Sequence, residues 1–265
     1  MNLAGLRFLI TGATGGIGGA LARALAARGA RLLVHGRDPR KMQALLATLP
    51  ADTSSLLADL GSADGRAALL AFAAGPQPAD GVILNAAGGH FGLFEQMSDA
   101  EIARLVATDL IAPMVLTRAL LPLLRARPDG SLTLIGSTLG QIGHPGFAAY
   151  GAAKGGLRTF AEALSRELGD DGPRLLWVSP RATRTGMNSA SAQAMNAELK
   201  VAEDTPEAVA EAIVRALERN RPRVQMGIAE KVFVRVNAVL PALVDRAMSG
   251  KLPTIRRHAA TPAKP

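Results

Sequence analysis

Short aliphatic runs alternate with longer amphipathic stretches from the N-terminus to about residue 220. The runs at Arg7–Ile10, 31–35, 55–58, 81–85, 131–136 and Arg174–Ser179 are nearly continuous in apolar character, as strands buried on both faces are. Between them, 17–28, 38–48, 62–74, 99–127, 150–169 and 206–219 repeat apolar residues at a helical period. A last strand is predicted at 224–226. Strands alternating with helices predict an α/β fold, with a parallel sheet covered on both faces. No internal repeat or linker interrupts the chain before residue 220, so 1–226 reads as one domain and 227–265 as an appendage.

In the appendage, Val232, Phe233, Val236, Val239, Leu240 and Leu243 recur at helical spacing, with Lys231, Arg235 and Arg246 elsewhere. This predicts an amphipathic helix, kinked at Pro241. Lys264 lies in a Pro-containing tail whose end is expected to be disordered. Charge sharpens the division. Residues 1–220 carry 21 basic and 20 acidic side chains, whereas 221–265 carry 9 and 2. Two fates for the apolar stripe stay open. It covers the domain or a second subunit, the ordinary fate, or segment 229–258 lies on an anionic membrane. The basic tail lacks the interleaved aromatics of a nucleic-acid surface, so no nucleic-acid partner is expected.

Composition narrows the chemistry. The 265 residues include no cysteine and four scattered histidines, so neither thiolate chemistry nor a zinc site is expected. MNLAGLRFLI runs straight into a strand and does not read as a secretory signal, and no apolar run reads as a membrane span, so a cytoplasmic protein is expected.

The first strand ends in Thr11-Gly12-Ala13-Thr14-Gly15-Gly16-Ile17-Gly18. A strand, a Gly-rich turn and a helix start make an anion cradle, and the turn after strand one is where doubly wound sheets bind dinucleotides. The second strand leads into Gly36, Arg37 and Asp38. Arg37 suits a 2′-phosphate and favours NADP; Asp38 as a ribose ligand would favour NAD. Farther on, Tyr150, the sole tyrosine, stands four residues before Lys154. On a helix the two share a face, and the ammonium is expected to lower the phenol's pKa toward working pH. That makes Tyr150 a candidate general acid or base at a carbonyl or alcohol oxygen, with the Ser137 hydroxyl as a second donor.

Together, TGATGGIG, Asp59, Asn85-Ala86-Ala87-Gly88, Ser137, YGAAK and Pro180 resemble the short-chain dehydrogenase/reductase family over about residues 3–220. The resemblance implies a single Rossmann-type domain, hydride transfer between a nicotinamide cofactor and a carbonyl or alcohol, and a homodimer or homotetramer built on the helices at 99–127 and 150–168. It implies that Thr11, Gly12, Thr14, Gly16, Ile17 and Gly18 line the pyrophosphate. Asp59 and Leu60 would meet the adenine, and Asn85, Ala86 and Gly88 would support the nucleotide. Lys154 would hold the nicotinamide ribose beside Tyr150, with Pro180 and Thr185 near the carboxamide.

Three positions depart from the family pattern. Asp109 stands where an Asn is usual; it could order water behind Lys154 or pair with it, offsetting part of the lysine's effect on Tyr150 and slowing turnover. Arg181 replaces a Gly, and Gly15 takes a place where many NADP-dependent members are basic. Segments 89–97, 139–147 and 186–199 are the candidate substrate loops. They offer His90, Phe91, Phe94, Met97, Gln141, His144, Phe147, Met187 and Met195, a largely apolar set that fits a hydrophobic ketone or acyl chain.

Overall fold

The structure is a computed structural model that describes residues 1–260; Lys264 and the tail end expected to be disordered lie outside the described residues. Among the described residues the strands are β1 (Arg7–Ile10), β2 (Arg31–Gly36), β3 (Ser54–Leu57), β4 (Gly81–Leu84), β5 (Ser131–Ile135), β6 (Arg174–Ser179) and β7 (Arg223–Gln225). They form one parallel sheet in the order β3-β2-β1-β4-β5-β6-β7. The order reverses between β1 and β4, which opens a crevice at the carboxyl ends of those strands.

Alternate residues of each strand enter two apolar layers. Phe8, Ile10, Leu32 and Val34 face α1 (Gly16–Ala26), α2 (Pro39–Leu46) and α8 (Pro206–Glu218). Leu9, Leu33, Val82 and Leu134 face α3 (Ala63–Ala73), α5 (Ala112–Arg125) and α6 (Ala148–Leu168). Side-chain caps start several helices. Asp38 accepts from the Arg40 and Lys41 N–H groups at the head of α2, and Ser98 and Glu101 form a capping box on α4 (Asp99–Val106).

The single helix expected over 99–127 is three pieces: α4, a π-helical segment Ala107–Ile111, and α5. By length and hydropathy the combined run could cross a membrane, which corrects the expectation that no run could. Leu116, Leu120 and Leu124 nevertheless bury against the sheet, as in a core helix. A further helix, α7 (Ala190–Glu198), lies inside the segment read as a loop.

The appendage is α9 (Ile228–Val239), α10 (Pro241–Ser249) and α11 (Leu252–Ala259). The helix breaks at Leu240, where φ is −134° and ψ 63°, and Pro241 starts α10, so the proline ends one helix rather than bending it. Val244, Ile255 and Ala259 are buried, and α11 packs on α7. Most of the stripe is not covered by the domain: Val232, Val239, Leu240 and Leu243 are all more than half exposed.

Candidate active site

The loops at the carboxyl ends of β1 to β6 enclose one cavity of about 1100 Å³. Gly12, Thr14, Gly16, Ile17 and Gly18 line its first part. Gly12 has φ +63°, and a Cβ there would lie 2.8 Å from Ala86 Cα; one on Gly18 would lie 2.3 Å from the Gly12 carbonyl oxygen. Only glycine lets these three backbones meet. N-cap Gly15 supplies no side-chain cap, so the first N–H groups of α1 stay available to an anion. Chain geometry and donor set both fit a dinucleotide pyrophosphate.

Thr11 needs correction. It is 1 % exposed and does not line the cavity. Its Oγ1 accepts the N–H groups of Asn85 at 2.9 Å and Ala86 at 3.0 Å, tying the end of β1 to that of β4. Asn85 lines the cavity and donates through Nδ2 to the Thr11 and Gly12 carbonyls at 3.0 and 3.2 Å.

Sequence reasoning missed His35. Its Nδ1 accepts the Gly12 N–H at 3.3 Å and its Nε2 lies 3.0 Å from the Ala58 carbonyl, which assigns the proton to Nε2. Burial lowers its pKa, partly opposed by the Ala58 hydrogen bond, so the ring that braces the phosphate loop is neutral. A polar residue buried at the end of a strand is the signal that could have found it.

Arg37 and Asp38 lie on the cavity wall, and Lys41, in the first turn of α2, joins them there. The Asp38 Oδ1 accepts from Arg40 and Lys41 N–H groups at 2.8 and 3.1 Å. Asp59 and Leu60 close that end, and Ala86, Gly88, Pro180 and Thr185 line the middle.

Ser137, Tyr150 and Lys154 converge where the cavity meets β5 and α6. The 3₁₀ turn Thr138–Gly140 packs hard on α6: a Cβ on Gly140 would sit 2.6 Å from the Lys154 carbonyl carbon. That contact sets Ser137 on the same stretch of cavity wall as Tyr150, and the Leu139 N–H donates to Ser137 Oγ at 3.1 Å. Lys154 Nζ is 5.8 Å from the Tyr150 ring centre. It is 3.2 Å from Asp109 Oδ2, with the two side chains 3 % and 0 % exposed. Asp109 Oδ1 accepts the Gly88 N–H at 2.6 Å. The π-helical segment carries Asp109 behind Lys154, off the cavity wall. Asp109 thus forms the ion pair with Lys154.

These contacts fix the protonation states. Burial pulls Lys154 down, but the Asp109 carboxylate beside it pushes the other way, and the net pKa lies above the ordinary lysine value. Burial raises Asp109, with Lys154 and Gly88 opposing. Burial also raises Tyr150; Asp109 adds to the rise, while Lys154 and Ser137 oppose it. The expectation of a phenol lowered toward neutral pH is therefore corrected: desolvation outweighs the cation, and Tyr150 holds its proton.

At the open end, Phe91, Phe147 and His144 form an aromatic cluster that reaches Tyr150, with Phe91 and Phe147 ring centres 5.0 Å apart. Burial lowers the His144 pKa, and its Nδ1 lies 2.8 Å from the Pro145 carbonyl oxygen. His90, Met187 and Met195 line the cavity; Phe94 points outward at 57 % exposure, and Met97 packs with Leu105 and Ala149. Gln141 lies outside the cavity and bonds Ser179 and Gln225. Arg181 does reach the cavity, but its guanidinium is engaged. It grips Asp204 through two hydrogen bonds, at 2.8 and 3.0 Å, and lies 3.5 Å from Glu230 of α9.

Comparison with known proteins agrees with this geometry. The family model described as short chain dehydrogenase matches residues 7–196. A ketoacyl reductase of a Nostoc species is 31 % identical over 256 residues, covering 92 % of this chain and 88 % of its own. A short-chain dehydrogenase of Sphingobium yanoikuyae, solved in complex with NADPH, is 26 % identical and covers 98 % of this chain and 99 % of its own, at a TM-score of 0.77. A short-chain dehydrogenase/reductase of Burkholderia phymatum, solved with NAD, superposes at a TM-score of 0.83 over 92 % of this chain and 96 % of its own; at 19 % identity it shows the fold alone. The chain belongs to the short-chain dehydrogenase/reductase family of oxidoreductases.

Proposed function

We propose that the protein transfers a hydride between NADP(H) and the carbonyl or secondary alcohol of an apolar substrate. The observation that carries this reading is the convergence of Ser137, Tyr150 and Lys154 on the cavity that continues over the Gly12–Gly18 loop. The cofactor, when bound, supplies the hydride. Tyr150, held as a protonated phenol, donates its proton to the carbonyl oxygen during reduction. Ser137 holds that same oxygen through its hydroxyl, and Lys154 orients the ribose and steadies the developing phenolate. Asp109 is a positioning residue that fixes the ammonium.

We favour NADP over NAD because two cations, Arg37 and Lys41, stand beside Asp38 at the cavity wall, and Asp38 Oδ1 is already engaged as the α2 cap. The aromatic cluster and the two methionines favour a hydrophobic ketone or acyl chain, in keeping with the ketoacyl relative. In this reading 1–226 is the catalytic domain and 227–265 its appendage, and two copies pair through α4 to α6, where Ile111 and Met114 lie exposed. A second reading, a nucleotide-binding regulator with little turnover, draws on the Asp109 pair. Fluorescence titration tests the cofactor assignment. NADPH should bind more tightly than NADH, and Arg37→Ala should weaken NADPH by about tenfold or more, the worth of one charge-assisted contact, with little effect on NADH. Tighter NADH binding would overturn it.

A further inference from the structure

The exposed side of α9 has a composition that the active site does not use. Ile228, Val232 and Val239 repeat at four and seven residues, which places them in one line along the helix. They are 82 %, 53 % and 75 % exposed. Arg235 lies in the same line and Lys231 flanks it; both are exposed. The row continues through exposed Leu240 and Leu243 into α10, where Arg246 and then Lys251 follow. Among the described residues, none of these four cations has a carboxylate within ion-pair distance. The one acid of α9, Glu230, turns away toward Arg181 and the cavity.

We infer that the outer face of α9 and α10 is a docking surface for an anionic lipid bilayer. A row of aliphatic side chains flanked by unpaired cations matches an interface of acyl chains beneath negative headgroups. A second copy of the same face fits less well, because Lys231 and Arg235 would meet like charges. Glu230 lies on the opposite side of α9, so docking would hold the cavity rim about one helix diameter, ~10 Å, from the lipid. The inference does not depend on the cofactor or on turnover.

Co-sedimentation of the full-length protein tests it, with vesicles of phosphatidylcholine alone and of phosphatidylcholine containing phosphatidylglycerol. The protein should sediment with the anionic vesicles only. Lys231→Glu with Arg235→Glu, and separately Val232→Glu with Val239→Glu, should each weaken that binding by about tenfold or more while circular dichroism and Tm stay unchanged. Failure of the native protein to bind anionic vesicles would overturn the inference, as would equal binding by both variants. A dimer that Val232→Glu with Val239→Glu dissolves, without vesicle binding, would assign the face to self-association instead.

Discussion

Asp109 and Lys154 are the pair on which the site's electrostatics turn, and a double-mutant cycle exposes their coupling. At 3.2 Å and an effective dielectric of about 20, their attraction is about 5 kcal/mol. Desolvation of two nearly fully buried ions consumes most of that, so the intact pair adds little net stability. Breaking it is another matter. Asp109→Asn keeps an acceptor for the Gly88 N–H but strands the buried ammonium, a loss of about 3 kcal/mol. At about 2–4 °C per kcal/mol for a chain of this size, Tm should fall by roughly 6–12 °C. Lys154→Met should cost less, because Asp109, already raised by burial, can take up a proton. The combined variant leaves no buried charge and should lose about 1 kcal/mol. Urea denaturation of the four proteins supplies the cycle. A coupling energy of about 2 kcal/mol or more is expected; single-variant losses that add within about 0.5 kcal/mol would refute it.

Three further outcomes follow from the same contacts. Gly18→Val forces a side chain into the Gly12 carbonyl, so it should abolish cofactor binding in a fluorescence titration. His35 has a folded pKa below its ordinary value of 6.5, so its contribution is full above that pH and is lost as pH falls through the folded value; unfolding free energy should decline on acidification, and less steeply in His35→Gln. Lys154 has a raised folded pKa, so its contribution persists through neutral pH and is lost as pH climbs through that value; the alkaline fall in stability should shrink in Lys154→Met.

Much of this site was legible in the chain. Continuous apolar runs located β1 and β6 to the residue, and the Gly-rich turn, Ser137 and the Tyr150–Lys154 spacing located the cavity's walls. What escaped had physical reasons. A π-helical turn leaves the apolar pattern of 99–125 almost unchanged, so the displacement of Asp109 was invisible. The α7 sequence ASAQAMNAE is too weakly amphipathic to register. His35 and the Arg181–Asp204–Glu230 cluster depend on contacts between residues distant in sequence. The balance of terms at Tyr150 depends on burial, which spacing alone does not reveal.

The most direct measurement follows NADPH absorbance with purified protein and a panel of small, aromatic and long-chain ketones, with Tyr150→Phe alongside. Consumption of NADPH that requires ketone and disappears in Tyr150→Phe, while the variant still binds NADPH, is the predicted result. Turnover that survives in Tyr150→Phe, or tight NADPH binding without turnover on any ketone, would contradict it.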